Sequence, residues 1–210
     1  DIAGKGIANP TALLLASAMM LDHVKRTDLA DRLRQTIGDG LNKDNVRTGD
    51  LGGTASTGQY AKALVARLKG YNDSLNAIGG QVDTQLASEA SSVTSLATNI
   101  AGLNRQIVAA RSQNQQVPND LMDQRDQLVN ELAQHVSVST VEQDDGSLNV
   151  FIGTGQALVT AGIAARLVTV PDAFDPTQPH LALQIGGTST DVTNAIGGGT
   201  LGGLLQFRTT

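Results

Sequence analysis

Cysteine is absent from the 210 residues. That excludes a disulfide framework and thiolate chemistry. Tryptophan is absent too, and aromatic residues make up only 2% of the chain. Pocketed sites are usually lined with aromatic surface, so this scarcity favours elongated helical packing. Basic clusters are also missing, and the net charge is -5. Phosphate neutralisation needs clustered Lys and Arg, so no nucleic-acid partner is expected. No segment of the basic, apolar, small-residue type opens the sequence. The longest apolar run, residues 12–21, is far shorter than the roughly 20 residues of a spanning helix, so no membrane partner is expected either. Apolar residues form 40% of the chain, enough for the core of one domain or two small ones.

The sequence is organised around residues 119–152. Asn119 follows Pro118 and has the character of a helix N-cap. Asp120 and Asp123 fall in the first turn, where the helix dipole favours negative charge. Leu121, Leu128, Leu132 and Val136 then form one apolar stripe. The period changes from helical to alternating, with Leu148, Val150 and Ile152 pointing one way. Asp145-Gly146 between the two alternating runs is a hairpin signal. A helix therefore hands over to a β-hairpin. Arg125 and the acids beside it read as solvated pairs on the helix surface, with an interface role as the alternative.

Upstream, residues 79–111 carry a heptad pattern. Leu86, Val93, Ile100 and Ile107 recur every seven residues, and Val82, Leu96, Leu103 and Ala110 take the positions three after the first kind, with Glu89 as a break. The flanks are Ser, Thr, Asn and Gln rather than Glu and Lys. This suits either a helix packed inside a larger assembly or an ordinary amphipathic helix packed on its own domain. Residues 112–118 form a polar loop short enough to reverse the chain, so the helix from Asn119 folds back antiparallel on the heptad helix. Beyond Gly153 the pattern is one of short strands, at 157–159, at 167–170 and through the alternating Leu181, Leu183 and Ile185. Residues 175–179 are a loop. Gly197 to Gly199 break the chain, and a new helix starts near Leu201.

The first third differs in composition. Residues 1–69 carry most of the lysine, and from Gly70 the chain turns rich in Ser, Gln, Asn, Ala and Thr. A boundary is placed at Lys69-Gly70. Residues 1–10 form a glycine-punctuated loop. Pro10 stands at the start of a helix over 11–24. A second helix covers 27–37 with Leu29, Leu33 and Ile37 on one face, ended by Gly38 and Gly40. Residues 50–57 are another loop, followed by a helix over 57–68. His23 reads as a surface or cap residue and Lys5 as a solvated loop lysine.

Two resemblances coincide with this division. The loops at 1–10, with the Thr11-Ala12 continuation, and at 50–57 resemble the C-terminal part of the isocitrate and isopropylmalate dehydrogenase family. The resemblance implies an adenosine-side nicotinamide loop. In it Asp1 would bond the ribose hydroxyls, Ile2 would pack on the adenine and Asn9 would read the adenine edge. A carboxylate at Asp1 would favour NAD over NADP. The family's metal-binding carboxylates, substrate-binding arginines and catalytic tyrosine and lysine come from segments this sequence does not contain. Catalysis, a metal site and a bound cofactor are therefore not expected, and NAD is the cofactor the resemblance would allow. Residues 119–132 (NDLMDQRDQLVNEL), 143–155 (QDDGSLNVFIGTG) and 198–208 (GGTLGGLLQFR) resemble the flagellar hook-associated protein of the hook–filament junction. That resemblance implies a structural subunit of the bacterial flagellum that self-associates with other axial subunits. The family's inner-tube helices have no counterpart in these residues.

The fold class expected is α+β, mainly α. It comprises a long antiparallel, coiled-coil-like helix pair, then a β-hairpin and short strands, with an N-terminal helical fragment. The segments are 1–69 dehydrogenase-like, 70–136 helix pair, 137–200 hairpin and strands, and 201–210 the start of a cut-short helix. Leu86, Val93, Ile100, Leu103, Ile107, Leu121, Leu128 and Leu132 are the expected packing and assembly residues. The function expected is structural, in the flagellum; the alternative is an NAD-binding dehydrogenase remnant, which would be cytoplasmic.

Overall fold

The computed structural model describes residues 4–114, 118–172 and 178–209. The fold is α+β and divides into two compact units, Asp1–Ile78 and Gly79–Thr210. Residues 175–177 of the expected loop at 175–179 and 115–117 of the expected reversal at 112–118 lie outside the described residues, while 112–114 are helical rather than loop.

The first unit holds α1 (Thr11–His23), α2 (Thr27–Asn42), a 3-10 turn at Gly49–Leu51 and the beginning of α3 (Thr57–Asn114). Its core is Ile37, Tyr60 and Leu64, with Leu14, Leu33, Leu41 and Val46 around them. Leu33, Ile37 and Leu41 recur every four residues, which gives α2 its buried stripe. Two expectations are corrected here. The helix over 27–37 does not end at Gly38 and Gly40 but runs on to Asn42. A Cβ on Gly40 would lie 2.9 Å from Leu64 Cδ2, so the missing side chain lets α2 abut α3. That packing outweighs the roughly 1 kcal/mol a helical glycine costs. The helix expected over 57–68 likewise does not stop there, because α3 continues through Lys69-Gly70 without a break.

A polar cluster ties α2 to α3. Arg67 donates two hydrogen bonds to Asp44, at 2.9 and 2.6 Å, and one to Asp39 at 3.2 Å. Tyr71 donates to the same Asp39 oxygen at 2.8 Å. Hydrogen bonds from Lys43 and Tyr71 hold the Asp39 carboxyl below its usual range. Arg67 does the same for Asp44, and Thr48 with Asn9 for Asp50. All three folded values are depressed, so the unfolded chain binds more protons in acid. Their stabilisation is complete above the unfolded aspartate value of about 3.9 and drains away as pH falls through the lower folded values. Both tyrosines, Tyr60 and Tyr71, belong to this unit, so tyrosine fluorescence reports its unfolding alone. The urea midpoint by that signal should drop steeply below about pH 4, and Asp44→Asn should flatten the drop. A midpoint indifferent to acid would contradict this cluster.

Every residue from 72 to 80 is exposed, including Leu75 and Ile78, and Gly79-Gly80 follow in the same helix. Each of those glycines weakens a helix by about 1 kcal/mol relative to alanine, and nothing buried compensates. Limited proteolysis is therefore expected to cut within 69–81 first. Initial cleavage within 86–107, whose seam is buried, would refute that.

The second unit contains the rest of α3, α4 (Asn119–His135), seven strands and α5 (Gly199–Thr209). Glu89 of α3 meets His135 of α4, and Asn104 meets Arg125. Rising numbers on one helix face falling numbers on the other, so the pair is antiparallel. Pro118, not Asn119, occupies the N-cap of α4, and no side chain caps it. Strands β1 (Val138–Glu142), β2 (Leu148–Ile152), β3 (Gln156–Thr160) and β4 (Ile163–Ala164) form an antiparallel sheet in that order. Val138 pairs with Ile152 and Glu142 with Leu148, which closes the expected hairpin around Asp145-Gly146. The Asp145 carboxylate accepts hydrogen bonds from the Ser147 hydroxyl and N–H, which hold its pKa below the usual range. Strands β5 (Arg166–Val170), β6 (His180–Ile185) and β7 (Thr188–Asp191) form a second antiparallel sheet. β4 and β7 escape the sequence pattern because one is two residues long and the other is polar throughout. In β6, Leu181, Ala182 and Leu183 are all buried while Ile185 is exposed, so the expected alternation does not extend to its end. Thr94 of α3 donates to Leu167 O and accepts from Leu167 N, both at 2.9 Å, which satisfies the edge of β5.

Two glycines separate backbone strain from packing. Gly153 has φ +57, and a Cβ there would lie 1.9 Å from Ala195 O; Gly186 has φ +54 and open space. Gly186→Ala should cost about 1–2 kcal/mol from its left-handed backbone alone. Gly153→Ala should cost clearly more, because the 193–196 backbone must move. Equal urea midpoints for the two would rule out this close approach.

Candidate functional site

The joint between the helix pair and the hairpin is held by a buried hydrogen-bond network. Its centre is Asn104, fully buried on α3. Asn104 Nδ2 donates to Leu148 O at 2.8 Å and to Ala161 O at 2.6 Å. Its Oδ1 accepts from Leu148 N at 3.0 Å and from Arg125 Nη1 at 3.3 Å. The amide thus uses both hydrogens and both lone pairs. One side chain thereby fixes α3 to the start of β2, to the β3–β4 turn and to α4. Arg125 Nη1 also donates to Gly146 O at 2.8 Å, which locks the hairpin turn.

Arg125 is only 2% exposed, which overturns its reading as a solvated surface group. It falls four residues after Leu121 and three before Leu128, on the apolar stripe of α4. Asp126, its nearest carboxylate, stands 3.8 Å from Nε and is mostly exposed. Nε itself is buried without a hydrogen-bond partner. The Arg125 guanidinium is thus met by a carbonyl and an amide oxygen rather than by a buried carboxylate. Gly146 completes the joint. It has φ +88, and a Cβ there would fall 2.3 Å from Arg111 Nη1.

The expected packing residues fall as follows. Leu86, Val93, Ile100 and Ile107 are all buried, as is Leu132. Leu121 and Leu128 are half-buried, with Leu128 packed against the core cluster. Leu103 is corrected: it is half-buried, and the buried position lies one residue on, at Asn104. The same shift holds at Ala90 and Ala97, which are more deeply buried than Glu89 and Leu96. Leu96 is itself buried in the same core, so the seam is broader than expected and takes in the residues four after the first row as well. Its small residues leave room for a sheet as well as α4. Glu89, the break in the heptads, is half-buried against His135 Nδ1.

Asn104 is the joint residue that the sequence did not single out, and Arg125 is the one it placed on the surface. The usable signal was positional, since both lie at helical spacing within apolar stripes.

Of the expected cofactor residues, Asp1 and Ile2 lie outside the described residues. Asn9 is half-buried. Its Nδ2 donates to Asp50 Oδ2 at 2.8 Å, and its Oδ1 accepts from Thr11 N at 2.9 Å at the head of α1. Thr57 N donates to Gly6 O at 2.7 Å, so the two loops of the first unit are bound to each other. Among the described residues no group of three or more His, Cys, Asp or Glu is placed to hold a metal ion.

Comparison with known proteins finds similarity to two kinds of protein. Flagellar hook-associated protein 1 of Salmonella typhimurium is 36% identical over 155 residues, covering 70% of this chain and 27% of that protein. The structure of the flagellar hook junction protein FlgK from Burkholderia pseudomallei matches with a TM-score of 0.68 and 26% identity, covering 97% of this chain and 34% of that one. The mitochondrial isocitrate dehydrogenase [NAD] subunit 2 of Schizosaccharomyces pombe is 53% identical over 70 residues, 33% of this chain and 18% of that protein. The chain thus spans about a third or less of the length of each, and partial similarity to a dehydrogenase beside similarity to flagellar proteins supports a chimeric origin. The family model of the flagellar hook-associated protein FlgK helical domain matches residues 19–210, and the chain belongs to that family.

Proposed function

We propose that the chain is a structural element of the bacterial flagellar hook–filament junction, working by assembly with other axial subunits and without catalysis. The observation that supports this reading most is the joint at Asn104. Its polar groups are consumed inside the fold and tie a helix pair, a hairpin and a turn into one body. Such saturation suits a part that transmits load better than one that meets a substrate. The relatives' descriptions as hook-associated and hook-junction proteins point the same way. No helix among the described residues is long and apolar enough to cross a membrane. Purified chain should co-sediment with isolated flagellar hooks, while serum albumin should not. A folded chain left wholly in the supernatant would reject this function.

The second reading, nucleotide binding by the first unit, rests on the loops around Gly6–Asn9 and Asp50–Thr57 being tied together. We propose that this site is not used. Asn9 already holds Asp50 and Thr11 through one donor and one acceptor site, so its amide is fixed in the service of the loops, with one N–H and one lone pair left over. Calorimetric titration with NAD is expected to give only heats of dilution. Saturable heat that disappears in Asn9→Ala would favour nucleotide binding instead.

A further inference from the structure

Helix α1 buries one side and leaves the other bare. Ala18 is fully buried and Leu14 packs on the core of the first unit. On the opposite side Leu13 is 72% exposed, Met19 67% and Met20 64%, joined by exposed Leu15, Ala12 and Ala16. At 100° per residue these positions cover half the helix circumference over three turns. They carry no Asp, Glu, Lys or Arg; His23, on the same face at the end of the helix, is its one titratable group. The exposed apolar surface is on the order of 600 Å² per copy, at the upper end of what an isolated monomer shows.

We propose that this face pairs with the same face of a second copy of the chain, as an antiparallel two-fold dimer. The shape of the face is self-complementary. Ala12, Ala16, Met19 and His23 form its centre line, so the N-terminal half is hollow and the C-terminal half is raised. Antiparallel pairing sets the hollow half of each helix under the raised half of the other, with Ala16 opposite Met19. Flexible Met side chains fill such a seam readily. No like charges meet, because neither face carries a full charge. Full contact between two such faces would bury at most about 1,200 Å², the lower end of a specific interface, which points to a weak, reversible dimer. An isologous contact closes on itself and stops at two. It is therefore distinct from, and independent of, any repeating axial assembly. A lipid surface is the lesser fit, since interfacial helices carry a Lys- and Arg-rich opposite face. Here the opposite side packs on α2.

Sedimentation equilibrium of the whole chain should show monomer and dimer in exchange, with no larger species. The double variant Met19→Glu, Met20→Glu should weaken dimerisation at least about tenfold while leaving helical circular dichroism unchanged, because both residues are exposed. The chain has no cysteine, so a second readout is available even if that variant misfolds. An equimolar mixture of Ala16→Cys and Met19→Cys chains should form the mixed 16–19 disulfide faster than either symmetric one. A chain that stays monomeric at every soluble concentration would overturn the proposal. So would a dimer unchanged in the double Glu variant, a preference for the symmetric disulfides, or binding to phosphatidylcholine–phosphatidylglycerol vesicles in place of dimerisation.

Discussion

Replacing Asn104 with alanine is expected to lower the stability of the second unit by about 3–5 kcal/mol. The loss has several parts. Leu148 N, Leu148 O and Ala161 O each lose their link to the buried amide, and Arg125 loses one of its acceptors. Each buried group left without a partner costs about 1–3 kcal/mol, and several are stranded together. Water cannot rescue them easily, because Asn104, Arg125, Ser147 and Leu148 are all buried. Asn99 lies five residues earlier on the same helix and is exposed. Asn99→Ala is expected to shift stability by less than about 0.5 kcal/mol. Urea denaturation followed by circular dichroism compares the two, with tyrosine fluorescence as an internal reference from the first unit. Equal midpoints for Asn104→Ala and Asn99→Ala would mean the joint is not held by this amide.

The path to Asn104 shows what the sequence could and could not reveal. Heptad spacing placed Leu86, Val93, Ile100 and Ile107 on one face, and all four are buried. Periodicity reads which residues are apolar, so it assigned the second row to Leu96 and Leu103. The structure buries Leu96 as expected but leaves Leu103 half-buried, and it adds Ala90, Ala97 and Asn104 beside that row. Two of these are small and one is polar, and none registers strongly on a hydrophobic scale. Their value lies in the close approach and the hydrogen bonds they permit, which depend on strands far away in sequence. Arg125 was misread for the same reason: a charge within an acidic stretch looks solvated until its acceptors, Gly146 O and Asn104 Oδ1, are known. Turn chemistry was more transparent. Asp145-Gly146 announces the hairpin because a positive φ is a local requirement, and Gly146 has it. Helix ends in the first unit were less so, since Gly38, Gly40 and Gly70 look like breakers and are overridden by packing or by helix on either side.

The same contrast decides which leucine anchors α4. Leu121, Leu128, Leu132 and Val136 form the stripe, and mid-helix position singles out Leu128. The structure moves the anchor toward the C-terminal end, because Leu132 and Val136 are fully buried while Leu128 is half-buried. The reason is the hairpin: β1 begins at Val138, so the end of α4 is covered by the sheet and by α5 as well as by α3. Leu132→Ala is therefore expected to cost about 2–5 kcal/mol, the range for a leucine whose cavity cannot collapse. Leu128→Ala should cost less, since water and neighbouring side chains can fill part of its space. Asn130 is exposed on the other side of the helix, and Asn130→Ala should cost less than about 0.5 kcal/mol. Urea midpoints by circular dichroism should fall in that order. A Leu128→Ala loss equal to that of Leu132→Ala would place the anchor back at mid-helix, and a Leu132→Ala midpoint matching Asn130→Ala would remove the three-sided enclosure of the end of α4 altogether.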